Sequence, residues 1–335
     1  MYIPTIFTKL ILVTIICFFC LNNLKAGTIN NGVFDTKKLK HQDTSKIENY
    51  LIVNKNFNEV YTQNLRLATF GNEYFGPRKT QLTSDLAANF VLFTTPKSPI
   101  FFVFTPRINI RLFSAQGAPV KSPSYMPGGT LYFRLNRNFY KPEFLSLSYN
   151  HHSNGIRGPT LNPNGTFNTD SGKFTTNFYT LTYHTGKRID KADLIINRYD
   201  ALGLELHSAL LGKGYSAALA GKYGFVRVNG EWIYNIAKAY PDQLDAGKKR
   251  FQNWKRIQFN FQYIADKYDN YNNLDLKKRL NLTLKYYYQF SFMQNVSFFA
   301  GGGYRAQDEY NIFFQDSYAY FTVGVASGLS FDFKK

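Results

Sequence analysis

Alternation of apolar and polar residues over stretches of about ten residues is the feature that most constrains how this chain folds. In residues 279–290, RLNLTLKYYYQF, leucine or tyrosine occupies every second position from Leu280 to Tyr288. Residues 257–265 and 321–333 repeat the pattern with other apolar residues. A period of two places successive side chains on opposite faces of a β-strand. The chain is therefore predicted to be all-β, with long strands.

Two kinds of all-β protein fit such a pattern. A soluble sandwich also alternates, because one face of each sheet packs into a core. A tilted strand that crosses a bilayer needs about nine to eleven residues, apolar outside and polar or small inside. No run of 18 apolar residues follows residue 26, and the chain holds 32 Phe and 25 Tyr, the residues that form aromatic girdles in membrane barrels. We therefore predict a transmembrane antiparallel β-barrel of about 12 strands.

The strands are predicted from the limits of each alternating stretch. In addition to the clear strands given below, residues 190–224 are expected to hold two strands. One further strand is expected before residue 86, within 60–70 or 73–83. This last expectation arises because the long polar segment 154–174 should be an outer loop, so the strand entering it should be odd-numbered. The clear strands are 86–95, 100–113, 129–138, 143–152, 175–185, 225–236, 255–266, 277–290, 295–306 and 319–333.

The first residues have the pattern of an export signal. Residues 1–26 combine Lys9, an apolar run and a small residue, Ala26, at the expected cleavage site, which predicts a secretory signal peptide. Residues 27–58 are rich in Asn and Lys and are predicted to be a periplasmic extension with little core of its own. Residues 59–335 are predicted to form the barrel. Both cysteines lie in the signal, so the mature chain needs a fold that is stable without disulfides, and a closed barrel is one.

The chain is strongly basic. Its 40 Lys and Arg outnumber its 22 Asp and Glu, giving a formal charge of +18. Such a charge suits nucleic acid, anionic lipid or lipopolysaccharide. The basic residues lie mostly between the apolar stretches, and no basic helix or nucleic-acid motif accompanies them. We therefore expect the outer-membrane bilayer as partner, and no nucleic acid.

The segment SLSYNHHSNGIRG, residues 146–158, breaks the apolar row of its strand. His151 and Ser153 share the face of Leu147, which should look at lipid, and polar residues in that position suggest function. A serine becomes a nucleophile when a histidine takes its proton, and the histidine needs a third group to orient it. Asn177 lies on the corresponding face of the next strand, where it can meet His151. A simple interfacial histidine is the other explanation.

The segment YNHHSNG, with GPT close behind, resembles the active-site motif of the outer membrane phospholipase A family, Tyr-Asn-His-x-Ser-Asn-Gly on a twelve-stranded barrel. The resemblance implies that His151 is the general base, Ser153 the nucleophile and Asn177 the orienting residue. It also implies that the backbone N–H of Gly155 is an oxyanion donor. The implied activity is hydrolysis of acyl esters in phospholipids and lysophospholipids (phospholipase A1/A2). The implied place is the outer membrane of a Gram-negative bacterium, with the site at the outer-leaflet side.

The resemblance also implies activation by calcium and by homodimerisation. One family ligand is a backbone carbonyl and falls on Ile156. The family's hydroxyl ligand falls on Leu161, which offers no side-chain oxygen, and the loop is longer than the family pattern allows. Asp170 and Ser171, in FNTDSGK, are candidate replacements because calcium prefers oxygen ligands. The alternative is that this stretch is a solvated surface loop.

Three other functions compete with the phospholipase hypothesis. A lipid A deacylase carries a similar His-x-Ser-Asn motif, but on a barrel of about eight strands with an acidic third residue. A porin or adhesin barrel would have a wide polar lumen and no outward catalytic group. Metal-dependent hydrolysis by His151 and His152 is disfavoured, because adjacent residues of a strand point to opposite faces.

Overall fold

A computed structural model describes most of the chain beyond residue 65. The predicted signal peptide 1–26 and the predicted extension 27–58 lie outside the described residues. Within the described part, no helix is long and apolar enough to cross a membrane. The described residues are 66–92, 99–114, 120, 123–138, 140–208, 215–241, 249–293, 295–309, 313–328 and 330–332.

The described residues form fourteen β segments and two short helical turns, a 3-10 helix at Ala217–Leu219 and an α-helical turn at Leu276–Arg279. The segments are β1 (Ala68–Tyr74), β2 (Thr80–Ala87), β3 (Asn89–Leu92), β4 (Ile100–Phe113), β5 (Ser124–Arg134), β6 (Glu143–Ser153), β7 (Thr175–Asp190), β8 (Leu194–His207), β9 (Val226–Pro241), β10 (Lys249–Ile264), β11 (Leu280–Tyr288), β12 (Val296–Arg305), β13 (Tyr318–Ser327) and β14 (Ser330–Asp332).

These segments close into a barrel of twelve strands, which confirms the predicted fold. β2 and β3 both pair with β4 and form one broken strand, and β13 and β14 form another. Sequential strands pair antiparallel around the whole wall. At the closing seam, the short β1 pairs with both β13 and β2, whereas β14 pairs directly and in parallel with β3. The barrel is thus closed at one height by β1 and at another by a parallel pair.

The prediction of an additional early strand is confirmed, whereas the described residues of 190–224 hold one strand, β8, in place of the two predicted. β1 precedes β2, so β6 is the fifth strand of the barrel and enters segment 154–174 as an odd-numbered one. β7 continues to Asp190 and β8 accounts for 194–207. Among the other described residues of 190–224, Leu219 of the 3-10 helix is buried in an apolar cluster that also contains Tyr223.

Most connections at one end of the barrel are longer than those at the other end. One end, called here the long-loop end, carries connections 154–174, 208–225, 265–279 and 306–317. The other, the short-turn end, carries connections such as 191–193 and 289–295. This asymmetry is typical of bacterial outer-membrane barrels. The first, third and fifth strands of the barrel, and the later odd ones, end at the long-loop end; β6 is the fifth strand.

The outer wall is apolar. Four of its leucines are about half exposed: Leu147 at 46%, Leu181 at 49%, Leu202 at 56% and Leu284 at 53%. Their neighbours along each strand point inward and are mostly buried, as Ser146 and Phe144 are on β6. A soluble monomer rarely exposes so continuous an apolar surface. The wall is therefore the lipid-facing surface of a membrane barrel.

The interior is filled by side chains. At the long-loop end, a cluster called here the aromatic plug closes the barrel; its members are Phe113, Phe167, Phe174, Leu219, Tyr223, Phe313 and Phe314. Below it, Arg111 forms ion pairs with Asp308 at 2.8 Å and Glu73 at 3.3 Å. A second apolar cluster, which includes Val103 and Phe144, lies towards the short-turn end. The described residues therefore leave no wide polar lumen, in contrast to the porin alternative.

Candidate active site

The pairing of β6 with β7 brings His151 opposite Asn177 and Ser153 opposite Thr175. His151 Nδ1 lies 2.6 Å from Asn177 Oδ1. A carbonyl oxygen only accepts hydrogen bonds, so Nδ1 carries a proton, and in the neutral ring Nε2 then keeps its lone pair. Asn177 is 6% exposed although it belongs to the lipid-facing row of β7. The predicted meeting of His151 and Asn177 is present, in the tautomer that a general base requires.

Ser153 follows His151 on the same face of β6, where the strand ends. Alternate residues of a strand have Cα atoms about 6.6–7 Å apart, so the two side chains are neighbours on the wall. Among the described residues, no hydrogen bond joins Ser153 Oγ to His151. Such bonds are often long before substrate binds and shorten in the substrate complex. Ser153 and His151 therefore share one outward row, and the outward residue Tyr125 of β5 lies opposite Ser153.

Gly155 occupies a backbone conformation that favours glycine, with φ of +70°. A Cβ at this position would lie 3.3 Å from the ring of Tyr125. The buried side chain of Asn154 fixes this turn, since its Nδ2 donates to Gly172 O at 2.7 Å and its Oδ1 accepts from Phe174 N at 3.0 Å. Asn154 thus ties the exit of β6 to the entry of β7. Sequence analysis missed this role, although Asn before Gly is a common turn signal.

The three candidate calcium ligands lie in segment 154–174. Asp170 and Ser171 are exposed, and Ser171 Oγ accepts from Asn168 Nδ2 at 3.1 Å. With the carbonyl of Ile156 these groups supply at most about four oxygens, whereas calcium takes about six to eight. No group of three or more His, Cys, Asp or Glu residues that could hold a metal occurs among the described residues. On their own, therefore, these three groups do not complete the coordination of a calcium ion.

A polar chain lies on the inner face of the wall, directly behind the site. Thr176, next to Asn177, meets His207 Nδ1 through its Oγ1 at 2.7 Å. His207 Nε2 lies 2.8 Å from Glu205 Oε1, and Glu205 also accepts from Asn229 at 3.0 Å. His152 is likewise internal and 4% exposed, so it points away from His151. The expectation that the two adjacent histidines cannot share a metal is thus supported by their opposite orientation.

A second serine–histidine pair lies inside the barrel. Ser146 Oγ is 2.7 Å from His184 Nε2, and the other ring nitrogen of His184 meets the hydroxyl of Tyr199. All three residues are at least 93% buried, and the His184 ring stacks on Phe144 with centroids 4.4 Å apart. Buried polar groups are normally paired in this way. We interpret this pair, which sequence analysis did not identify, as part of the interior packing.

Together, the closed twelve-stranded antiparallel wall, its apolar outer surface and its filled interior define a β-barrel of the outer-membrane class. The chain is similar to the solved structure of outer membrane phospholipase A from Escherichia coli, with 11% identity over 78% of this chain and 91% of that one and a TM-score of 0.45. A structure of an active-site mutant of that protein gives 12% identity over 78% and 90%, with a TM-score of 0.47. No protein-family model and no curated protein sequence matches the chain.

Proposed function

We propose that this chain is an outer-membrane serine hydrolase that cleaves acyl ester bonds of phospholipids and lysophospholipids. The observation that carries the proposal is the 2.6 Å contact between His151 Nδ1 and Asn177 Oδ1 on the lipid-facing wall, with Ser153 next on the same row. Polar groups are costly at a lipid-facing position, which favours a functional role for the oriented histidine over a merely interfacial one. Beside a serine, it is the arrangement that nucleophilic catalysis requires.

The reaction follows from the roles of these groups. Ser153 Oγ attacks the ester carbonyl carbon while His151 Nε2 takes its proton, and Asn177 holds the ring and stabilises its charged form. The carbonyl oxygen becomes an oxyanion, for which the Gly155 N–H is the proposed donor. His151 then returns the proton to the departing glycerol oxygen, leaving an acyl-serine. Water, deprotonated by His151, releases the fatty acid and restores the serine hydroxyl.

The position of the site suggests the substrate. Below His151 and Asn177 on the same outward rows lie Leu147 and Leu181, each nearly half exposed. An acyl chain placed along these leucines would bring its ester to the polar residues at the end of β6. A substrate that lies in the bilayer is thus favoured over a water-soluble ester.

The closest alternative chemistry is that of a lipid A deacylase. Twelve strands and an amide, Asn177, as third residue both differ from the shorter barrel and acidic residue expected for that class. The phospholipid ester is therefore the preferred substrate, and purified lipid A belongs in the assay as a comparison.

The deciding experiment measures fatty-acid release from mixed detergent–phospholipid micelles by the refolded protein. Ser153→Ala should lower the rate by about a thousandfold or more, because it removes the nucleophile. Ser148→Ala, an inner-face change on the same strand, is the matched control and should leave the rate near that of the parent protein. Undiminished release by Ser153→Ala, or no release by the parent protein under any condition, would overturn the proposal.

We further propose that calcium and dimerisation activate the enzyme. The support is the family resemblance. The candidate oxygens of segment 154–174 would need further ligands from a second chain, lipid or water. Release should then fall in the presence of a chelator and recover with added calcium. Cross-linking in the membrane should detect a dimer under the active conditions. Activity that survives chelation would reject the calcium proposal and leave the serine mechanism intact.

A further inference from the structure

Two lysines and a tryptophan meet on the outer wall, far from the catalytic residues. Lys255 Nζ lies 3.8 Å from the centroid of the Trp254 ring, and Lys238 Nζ lies 5.4 Å from it. A β-bulge between Asn253 and Lys255 leaves Trp254 without a partner on β9 and turns it towards the outward residue Tyr288, at 6.0 Å. We call Lys238, Trp254 and Lys255 the basic–aromatic cluster.

The cluster lies where the apolar band of the wall ends. On β10 the outward row runs from Tyr263, near the long-loop end, through the exposed Ile257 to Lys255. With about 3.3 Å per residue and a tilt of about 40°, that row spans roughly 20 Å, close to the height of about 25 Å expected of the lipid-facing band. Lys255 therefore lies at the level of lipid headgroups, on the side of the short-turn end.

The two ammonium groups form no ion pair with any carboxylate of the described residues, although acidic residues occur on the same side of the barrel. Asp200, on the outward row of β8, is engaged by Arg198 at 2.9 Å. Asp190 is engaged by Arg188 at 2.7 Å. Because both ammonium groups lie within 5.4 Å of the centroid of one indole ring, they are no more than about 9 Å apart, and like charges at such distances repel unless an anion lies between them.

We propose that the basic–aromatic cluster binds the phosphate of an anionic glycerophospholipid. Lys238 and Lys255 contact the phosphate, and the indole of Trp254 packs against the glycerol and the first methylenes of the acyl chains, as aromatic residues do at membrane interfaces. This site is separate from the proposed active site. Its occupant would be held as a bound lipid and would not be hydrolysed there.

The chain's two tryptophans allow a direct test. Trp232 is 40% exposed on the outward row of β9, among apolar neighbours, and Trp254 belongs to the cluster. In a Ser153→Ala background, which prevents any hydrolysis, Trp232→Phe leaves Trp254 as reporter and Trp254→Phe leaves Trp232. Each variant is placed in bilayers in which either phosphatidylglycerol or phosphatidylcholine is brominated, and quenching of fluorescence gives the relative occupancy of the two lipids.

We expect Trp254 to report a preference of roughly fivefold or more for the anionic lipid, and Trp232 to report none. Changing Lys238→Gln and Lys255→Gln together should remove the preference at Trp254. Lys187→Gln, which removes an exposed outward lysine elsewhere on the wall, should leave it unchanged. Equal preference at both tryptophans, or a preference that persists in the double variant, would overturn the proposal. Neither result depends on whether the barrel is a hydrolase.

Discussion

At the scale of single residues, Asn177 contributes one carbonyl oxygen to the site. Asn177→Ala removes the acceptor of the His151 Nδ1 proton, so the ring loses its orientation and its fixed tautomer. A neutral hydrogen bond is worth about 1 kcal/mol, so kcat should fall by about fivefold or more while KM changes little. Rates of fatty-acid release across a range of lipid concentrations give both values.

Tyr179→Phe is the control for that change, since Tyr179 lies two residues further along the same outward row. Its hydroxyl is buried without a hydrogen-bond partner among the described residues, and its ring packs on Tyr149 with centroids 5.2 Å apart. The substitution keeps the ring contact and should leave kcat unchanged. If both variants lost the same activity, general disturbance of β7 would explain the loss, and the orienting role of Asn177 would be rejected.

Gly155 offers a second test at this scale. Gly165, in the same segment, has a similar backbone conformation and serves as its control. Both have positive φ, +70° and +80°, but only Gly155 has a neighbour, Tyr125, within 4 Å of an added Cβ. Each change to Ala should cost about 1–2 kcal/mol of local backbone strain. Only Gly155→Ala should also slow fatty-acid release, by at least about tenfold, because it displaces the proposed oxyanion donor. Equal rates in the two variants would remove Gly155 from the mechanism.

At the scale of strands, β7 presents Asn177 to the outside and Thr176 to the inside. Thr176→Val keeps the shape of the side chain and leaves the buried His207 without its hydroxyl partner. An unpaired buried polar group costs about 1–3 kcal/mol, so the variant should unfold at a lower denaturant concentration. Thr175→Val, which changes the neighbouring residue on the outward face, should not lower that concentration. The measurement is the urea concentration at the midpoint of unfolding, in detergent or lipid. Equal midpoints for the two variants would mean that the hydrogen bond between Thr176 and His207 adds no stability.

Sequence analysis located most strands because alternation reports which face of a strand is buried. β4 was predicted without error and β6 within one residue. It predicted two strands in 190–224, where the described residues hold only β8, because Leu219 and Tyr223 pack inside the barrel at the long-loop end. It also placed His151 and Asn177 correctly, since both lie on predicted outward rows. It could not find Asn154, whose partners Gly172 and Phe174 become neighbours only when the loop folds.

At the scale of the whole molecule, the filled interior makes a prediction about ion permeation. The aromatic plug and the ion pairs of Arg111 occupy the space that a porin would leave to water. The protein inserted in a planar bilayer should therefore show no stable open conductance at low voltage. Steady conductance steps would contradict the closed interior and would favour the porin alternative. A porin of known conductance, refolded in the same way, is the control for insertion.

That interior was only partly predictable. The polar inner rows of the strands follow from alternation, but the plug combines residues from β4 and from segments 154–174, 208–225 and 306–317. Contacts between such distant segments depend on the closed barrel, which brings the loops together. A single stretch of sequence therefore identifies the wall better than it identifies what fills it.

The seam also determines when the barrel can be completed. Thr322 Oγ1 donates to Asn72 O across 250 residues of chain, and the β14–β3 pair joins strands at equally distant places. Bringing together such remote segments costs the most chain entropy, so this join forms after the other strands have paired. Until then the growing sheet has two unpaired edges, each able to capture a strand from another chain. Delivery to the membrane must therefore keep both edges apart from other unfinished barrels until the first and last strands meet.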